Sequence, residues 1–391
     1  MVRIGILTYF ASINYGAFLQ AYALQECLKS RYGDVAEVEI INYEARTAHE
    51  FYLKYVLYAD RLYRDKLIGQ YNRFLESRNS LRLSEEELVT DHLKEVERFL
   101  QGKYNIIIAG SDEIWRTDSF RGFPTAYWLN YNLADTTYMA YAVSGRSDFQ
   151  KLTDGMQKYI KDSVKRFCYI GTRDEVTKKE LLKITDQEID RNCDPVFLMP
   201  ELFRINNKEK IRRRVIEKYG LKTGRPLVSL MLPYNEEAAS QLYRMLQYDN
   251  LAAILYRPVK GIKDYNFIEL SPFEWSDMIG ISDLVITDRF HGTVFSMLHG
   301  IPFIAVECGE KGRGKIENLL IENFMTDKML YQKDYIGNNR KLAVDLYTKG
   351  RKTMKDHMEK LFEQTVQRET EKSRHFFEIL DRIIGNQEYG R

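Results

Sequence analysis

Short apolar runs along the chain alternate with longer amphipathic stretches. Val2 to Thr8 is β-rich and apolar, and after the polar turn Ser12-Ile13-Asn14-Tyr15-Gly16 the residues Leu19, Tyr22, Ala23 and Leu28 follow a helical pattern. Val38 to Asn42 predicts the next strand, so the chain opens as a βαβ unit with a parallel sheet. Residues 50 to 101 are rich in Tyr, Arg, Leu and Glu, contain no Pro, and read as helices that cover the sheet or leave it on an excursion. Tyr104 to Ala109 is a buried-type strand running into Gly110-Ser111-Asp112-Glu113-Ile114-Trp115, and Thr137 to Val143 is a strand ending in Ser144-Gly145. A helix and a strand then lead to Gly171-Thr172-Arg173-Asp174, and Asp194-Pro195-Val196-Phe197 closes this half.

Lys and Arg crowd residues 204 to 225, and Gly224-Arg225-Pro226 marks a boundary. Beyond it the same alternation returns. Strands are predicted at 227–231, 251–256, 284–287 and 302–306, with helices near 236–247 and 272–280 and from about Gly292. A charged amphipathic stretch from Lys349 to Ile384 predicts one long helix or two, packing back across the molecule. The expected organisation is an N-terminal doubly wound α/β domain over 1–200, a second over 226–345, and a C-terminal helical segment over 346–391.

Composition narrows the function. A chain of 391 residues is too long for one ordinary core and suits two. With 58 Lys and Arg against 56 Asp and Glu, the net charge of +2 supplies no field to gather nucleic acid, so any anion must be met by local charge. Cys27, Cys168, Cys193 and Cys308 form no Cys-x-x-Cys pair and have no matching histidine spacing, which argues against a metal site and a disulfide framework. The first ten residues lack the features of a signal peptide, and no run approaches the roughly 18 apolar residues of a spanning helix. These features point to a cytoplasmic protein, with a peripheral partnership with membrane machinery left open.

The segment Leu284 to Thr293 carries the clearest chemistry. A buried strand runs into a turn bearing Arg289 and His291, then into a helix whose first amides, towards Gly292 and Thr293, have no intrahelical acceptor. Such a junction suits a phosphate or carboxylate, with Arg289 able to bind bidentately and His291 able to exchange a proton near neutral pH. Other positions carry two readings each. Asn14 and Gly16 suit either close backbone approach to a ligand or a helix cap, without the spacing of a dinucleotide fingerprint. Asp112 suits either orientation of an acceptor hydroxyl or capping of a following helix. Arg173 is either a second anion ligand or the partner of a carboxylate such as Asp174. Lys311 and Arg313 lie in a glycine-rich cationic stretch that reads as a mobile loop over a polyanionic donor or as a solvated loop, and Arg257 reads as a surface residue.

In order and spacing, NYGAFLQAYAL at 14–24, IIIAGSDEIW at 106–115, YAVSG at 141–145, RDE at 173–175, DPVF at 194–197 and TDRFHGTVFSMLHGIPFIAV at 287–306 resemble polysaccharide pyruvyl transferases. The resemblance covers about residues 1 to 320. It implies a GT-B-like fold of two Rossmann-like domains facing a cleft. The implied reaction, with no metal or other cofactor, is transfer of a pyruvyl group from phosphoenolpyruvate to a saccharide or lipid-linked saccharide of a capsule or exopolysaccharide, giving a cyclic ketal. It also implies that Arg289 binds donor phosphate or carboxylate and that His291 transfers a proton; the chemistry of the reaction adds Arg173 and the backbone at Gly292 and Thr293 as further donor candidates and Asp112 as the hydroxyl-orienting carboxylate. Two other functions fit the same residues: a glycosyltransferase using a nucleotide sugar, and a non-catalytic sugar-binding subunit of a polysaccharide assembly complex.

Overall fold

The computed structural model describes residues 1–61, 63–145, 147–220, 224–248, 252–255, 269–355 and 358–389. By contact the chain divides into two units. One comprises residues 1–59, 74–199 and 369–391, and the other 60–73 and 200–368. Arg257 lies outside the described residues.

In the first unit the strands are β1 (Val2–Leu7), β2 (Ala36–Ile40), β3 (Tyr43–Glu44), β4 (Leu88–Val89), β5 (Ile106–Asp112), β6 (Thr137–Val143), β7 (Phe167–Thr172) and β8 (Asp190–Arg191). Six of them form one parallel sheet in the order β2-β1-β5-β6-β7-β8, with Ile4 opposite Ile106 and Ile106 opposite Thr137. All seven residues of β5 are buried, which accounts for its unbroken apolar run: a parallel sheet is covered on both faces. β3 and β4 pair with each other, and the region expected to be helical holds the helices Arg46–Leu57 and Leu93–Leu100 in this unit, with Arg64–Ser77 lying largely in the other. Trp115 and Trp128 stack at 4.8 Å in the core.

The helix Arg374–Tyr389 returns to this first unit. Phe376 and Leu380 are fully buried, Phe376 lies 4.7 Å from the Tyr141 ring, and Arg31 pairs with Asp381 at 2.8 Å. The single stretch expected from Lys349 to Ile384 is divided among three helices, Asn339–Thr353, Glu359–Glu371 and Arg374–Tyr389. Ser373 sits at the second break, its hydroxyl bonded to the Tyr141 hydroxyl at 2.8 Å rather than pointing to solvent.

The second unit holds a parallel sheet of β9 (Leu227–Met231), β10 (Ala252–Leu255), β11 (Leu284–Thr287), β12 (Phe303–Glu307) and β13 (Met329–Tyr331), ordered β10-β9-β11-β12-β13. Leu342, Ala343 and Leu346 from the helix Asn339–Thr353 pack into its core with Leu284, Ile286 and Ile304. Gly350 lets that helix approach closely: a Cβ there would sit 2.9 Å from the Leu284 side chain.

Both sheets share one consequence of strand order. The chain winds outward in one direction after the first strand and in the other after the third, so the order reverses between β1 and β5 and again between β9 and β11. Loops leaving the carboxyl ends of strands at such a reversal open a crevice, where α/β folds place ligands.

Candidate active site

At the reversal of the second sheet, β11 ends at Thr287 and the helix Phe290–Leu298 begins, with Arg289 in extended geometry (φ −108°, ψ 134°) as its first flanking residue. The helix starts two residues before Gly292, so His291 lies within its first turn. Several neighbours fix the turn. Asp288, buried, accepts hydrogen bonds from the Tyr234 amide at 2.8 Å and the Asn235 side chain at 2.9 Å, tying the β11 loop to the loop after β9. The Thr287 hydroxyl accepts from the Arg289 amide at 3.0 Å. The guanidinium of Arg289 donates to the Tyr234 hydroxyl at 2.9 Å and lies 5.3 Å from that ring, so among the described residues the cation is held by an aromatic and not by a carboxylate. His291 is 8% exposed, its ring edge-to-face with Phe290 at 5.4 Å.

Gly292 and Thr293 turn inward. A Cβ on Gly292 would collide with the Thr287 hydroxyl, so this glycine allows the helix to pack on the strand. Thr293 is fully buried and its hydroxyl donates to the Arg289 carbonyl at 3.2 Å. The part of these two residues suited to an anion is therefore the helix-terminal backbone and not the threonine hydroxyl.

The glycine-rich stretch that follows β12 is organised by two buried carboxylates. Glu307 accepts from the amides of Gly309 at 2.7 Å, Ile316 at 3.0 Å and Glu317 at 3.1 Å. Glu317 accepts from the Gly312 amide at 2.6 Å and the Tyr331 hydroxyl at 2.5 Å. Burial, followed by the Glu317 hydrogen bond, pushes the Tyr331 phenol up to about 12. Lys311 reaches Asp334 at 3.3 Å and lies 4.7 Å from the Tyr331 ring, and the Arg313 amide donates to the Glu310 carbonyl at 2.9 Å. Lys315, just past the two expected residues, lies 5.3 Å from the Phe290 ring.

At the reversal of the first sheet, Asn14 caps the helix Tyr15–Tyr32 by accepting from the Ala17 amide at 3.3 Å, and Gly16 is buried in its first turn. Of the two readings of this loop, the structure displays the cap. Gln20 in the same helix donates to the Thr8 hydroxyl at 2.9 Å and accepts from the Ser111 amide at 3.2 Å, joining the ends of β1 and β5. Asp112 follows with φ of +85°, an uncommon value for a non-glycine residue. No helix begins directly after it, so helix capping is not its role; the carboxylate accepts from its neighbour's amide at 2.7 Å and from Arg173 at 3.1 Å. Arg173 is only 2% exposed in its side chain and also donates to Asp194 at 2.9 Å. Its guanidinium is engaged by two buried carboxylates, neither of them Asp174, which instead caps the helix Glu175–Leu182. The geometry corresponds to the ion-paired reading of Arg173 and not to an anion ligand.

The expected residues thus gather in two sets, each within its own unit: Asn14, Gly16, Asp112 and Arg173 in the first, and Arg289, His291, Gly292, Thr293, Lys311 and Arg313 in the second. Sequence reasoning passed over Tyr234, Asn235 and Asp288, which position Arg289, and Glu307 and Glu317, which shape the loop. Asp288 and Asp194 stand in segments already singled out, and adjacency to Arg289 was the available signal for the first. Among the described residues, no group of three or more His, Cys, Asp or Glu side chains is placed to hold a metal ion, and no helix is long and apolar enough to cross a membrane.

Two parallel sheets with reversed strand order, and a basic strand-to-helix turn at one reversal, define a GT-B-like α/β architecture. Solved structures agree on the fold. A UDP-GlcNAc 2-epimerase from Methanocaldococcus jannaschii matches with a TM-score of 0.53 at 13% identity over 92% of this chain and 94% of that one. A Staphylococcus aureus MnaA–UDP co-structure matches with a TM-score of 0.52 at 11% identity over 95% and 91%, and the wall teichoic acid polymerase TagF H548A with 0.50 at 10% over 99% and 89%. The family model described as polysaccharide pyruvyl transferase matches residues 14–310, and the chain belongs to that family. It is accordingly a transferase. No curated protein matches the sequence.

Proposed function

We propose that this protein transfers the pyruvyl group of phosphoenolpyruvate to two hydroxyls of one sugar in a surface polysaccharide or its lipid-linked precursor, forming a cyclic ketal. The observation that carries this reading is the Arg289–His291 turn. A guanidinium and an imidazole sit at a helix N-terminus, at a sheet reversal, in a chain of the pyruvyl transferase family.

Phosphoenolpyruvate brings a phosphate and a carboxylate. Arg289, held by the Tyr234 hydroxyl and face, binds one of them alongside the helix amides. His291 delivers a proton to the methylene carbon, which becomes the methyl group and leaves C2 cation-like. A sugar hydroxyl attacks C2, and the proton it loses restores His291 to its protonated form. Inorganic phosphate then departs with its bonding electrons, the second hydroxyl closes the ring, and its proton leaves with the phosphate. Within the first unit, Asp112, fixed by Arg173, is the carboxylate suited to hold an acceptor hydroxyl, so Arg173 serves there as a positioning residue. Fixed charges aimed at the developing oxocarbenium and phosphate supply most of the stabilisation, and no redox partner is needed. The reading places the protein in the cytoplasm, with the saccharide carried by lipid or presented by membrane-bound machinery.

The test measures phosphate released from phosphoenolpyruvate over a panel of nitrophenyl and lipid-linked sugars, with the ketal methyl singlet followed by proton NMR. Phosphoenolpyruvate is expected to raise the melting temperature, as a ligand of the native state must. Stabilisation by a nucleotide sugar and not by phosphoenolpyruvate, with no phosphate released, would replace this reading by glycosyl transfer.

A further inference from the structure

A group of aromatic side chains in the first unit is not absorbed by this chemistry. Phe51, on the helix Arg46–Leu57, and Phe120, in the loop after β5, stack at 4.3 Å with their planes 26° apart, yet remain 46% and 44% exposed. Tyr52 stands edge-on to both rings, at 5.4 Å from Phe51 and 6.3 Å from Phe120. Arg121 lies 4.5 Å from the Phe120 ring and 3.9 Å from the Tyr9 ring, donates to the Ser12 hydroxyl at 3.0 Å, and interacts electrostatically with the Tyr52 phenol. Tyr9 in turn donates to the Glu113 carbonyl at 3.4 Å, next to Asp112. Tyr9, Ser12, Phe120 and Arg121 therefore stand on the loops that leave β1 and β5, at the reversal of the first sheet, with Phe51 and Tyr52 brought to them by the helix Arg46–Leu57.

We infer that the Phe51–Phe120 stack is the platform on which a pyranose ring of the acceptor saccharide lies. Two large apolar rings half open to water are unfavourable unless something covers them. A pyranose presents an apolar face of axial C–H bonds, weakly positive and matched to the negative face of an aromatic ring, and a rim of hydroxyls. The platform has both halves of that complement: ring faces, and beside them the Tyr52 phenol and the Arg121 guanidinium as rim partners. Two rings cover far less than the roughly 1,000 Å² that a stable protein interface requires, which favours a small ligand over a second copy of the chain. The placement next to Asp112 and Glu113 also puts carboxylates near the hydroxyls of a bound sugar. This inference rests on the reading of the protein as a saccharide-modifying transferase.

The experiment uses the full chain and methyl hexopyranosides, whose aglycone cannot itself stack. Their affinity is measured by saturation-transfer NMR without phosphoenolpyruvate, and their KM by phosphate release with it. Phe120→Ala and Phe51→Ala should each weaken affinity and raise the saccharide KM by about 3- to 10-fold, with the phosphoenolpyruvate KM unchanged. Phe120→Trp should restore both values. Tyr248→Ala, at a residue 90% exposed in the other unit, is the control and should change nothing. Melting curves confirm that the half-exposed substitutions leave the fold intact.

The platform is overturned by three results: no methyl hexopyranoside binds; the alanine variants bind and turn over the sugars as the parent does; or Phe51→Ala abolishes a concentration-dependent dimer while leaving sugar affinity unchanged. The two readings separate cleanly. Loss of sugar binding in Phe120→Ala, in a protein that never releases phosphate from phosphoenolpyruvate, keeps the platform and removes pyruvyl transfer. Normal phosphate release with unaltered saccharide KM does the reverse.

Discussion

Replacing Arg173 with methionine separates a structural ion pair from a donor ligand. The guanidinium bonds Asp112 at 3.1 Å and Asp194 at 2.9 Å, with side chains 2%, 10% and 1% exposed for Arg173, Asp112 and Asp194. Methionine fills much of the volume but strands two carboxylates out of water. Removing one partner from a buried pair costs about 3–5 kcal/mol, because the remaining charge is left uncompensated. For a domain of 150–250 residues each kcal/mol shifts the melting temperature by about 2–4 °C, so a fall of about 6–20 °C is expected. The loss should shrink as pH is lowered, since protonation discharges the stranded carboxylates. Arg173→Lys should fall between parent and Arg173→Met, because one ammonium cannot reproduce a fork that reaches two acids. The triple variant with Asp112→Asn and Asp194→Asn should recover much of the stability. The assay is calorimetry from pH 4.5 to 8, beside steady-state kinetics. A melting temperature within about 2 °C of the parent, together with a raised KM for phosphoenolpyruvate, would refute this reasoning and return Arg173 to the donor.

Arg289→Ala should cost about 2–4 kcal/mol in kcat/KM for phosphoenolpyruvate, with only part recovered by Arg289→Lys, as read by initial rates. His291→Gln should keep donor affinity in calorimetry while losing about 10²- to 10⁴-fold in turnover; near-normal turnover would remove it from proton transfer. Gly292→Ala pushes a methyl group into the Thr287 hydroxyl and toward Met231, 3.3 Å away, and should destabilise the second unit by about 1–3 kcal/mol in denaturant titration. Burial, with Glu274 adding to it, pushes the Asp277 carboxyl up from 3.8 to about 6. Between those values the folded state holds the extra proton, so stability falls as pH rises through this window and the deficit is complete above it. Asp277→Asn should therefore raise stability at pH 7.5 by on the order of 1 kcal/mol after allowance for solvent screening, and scarcely at pH 4.

The central strands of both sheets are legible as runs of apolar residues because a parallel strand buried on both faces needs no polar alternation. The Arg289–His291 turn is legible for a related reason: two basic residues stand at the end of such a run, and topology aims strand ends at ligands. The two-residue strands β3, β4 and β8 are too short to carry a period, and only their neighbours define them. The break at Ser373 likewise depends on a tyrosine 232 residues away.

What the sequence determined by itself is local: where the longer buried strands and several of the helices lie, that the sheets are parallel, and that an arginine and a histidine meet at a helix start. The tertiary structure alone decided which charges are spent on each other. Arg173 stands 61 positions from Asp112 and 21 from Asp194, and it meets them because β5, β6 and β7 lie side by side. Arg289, equally basic in the sequence, meets a tyrosine where Arg173 meets two acids. An ion pair needs proximity and burial, and both are properties of strand order, which residue spacing along the chain does not encode.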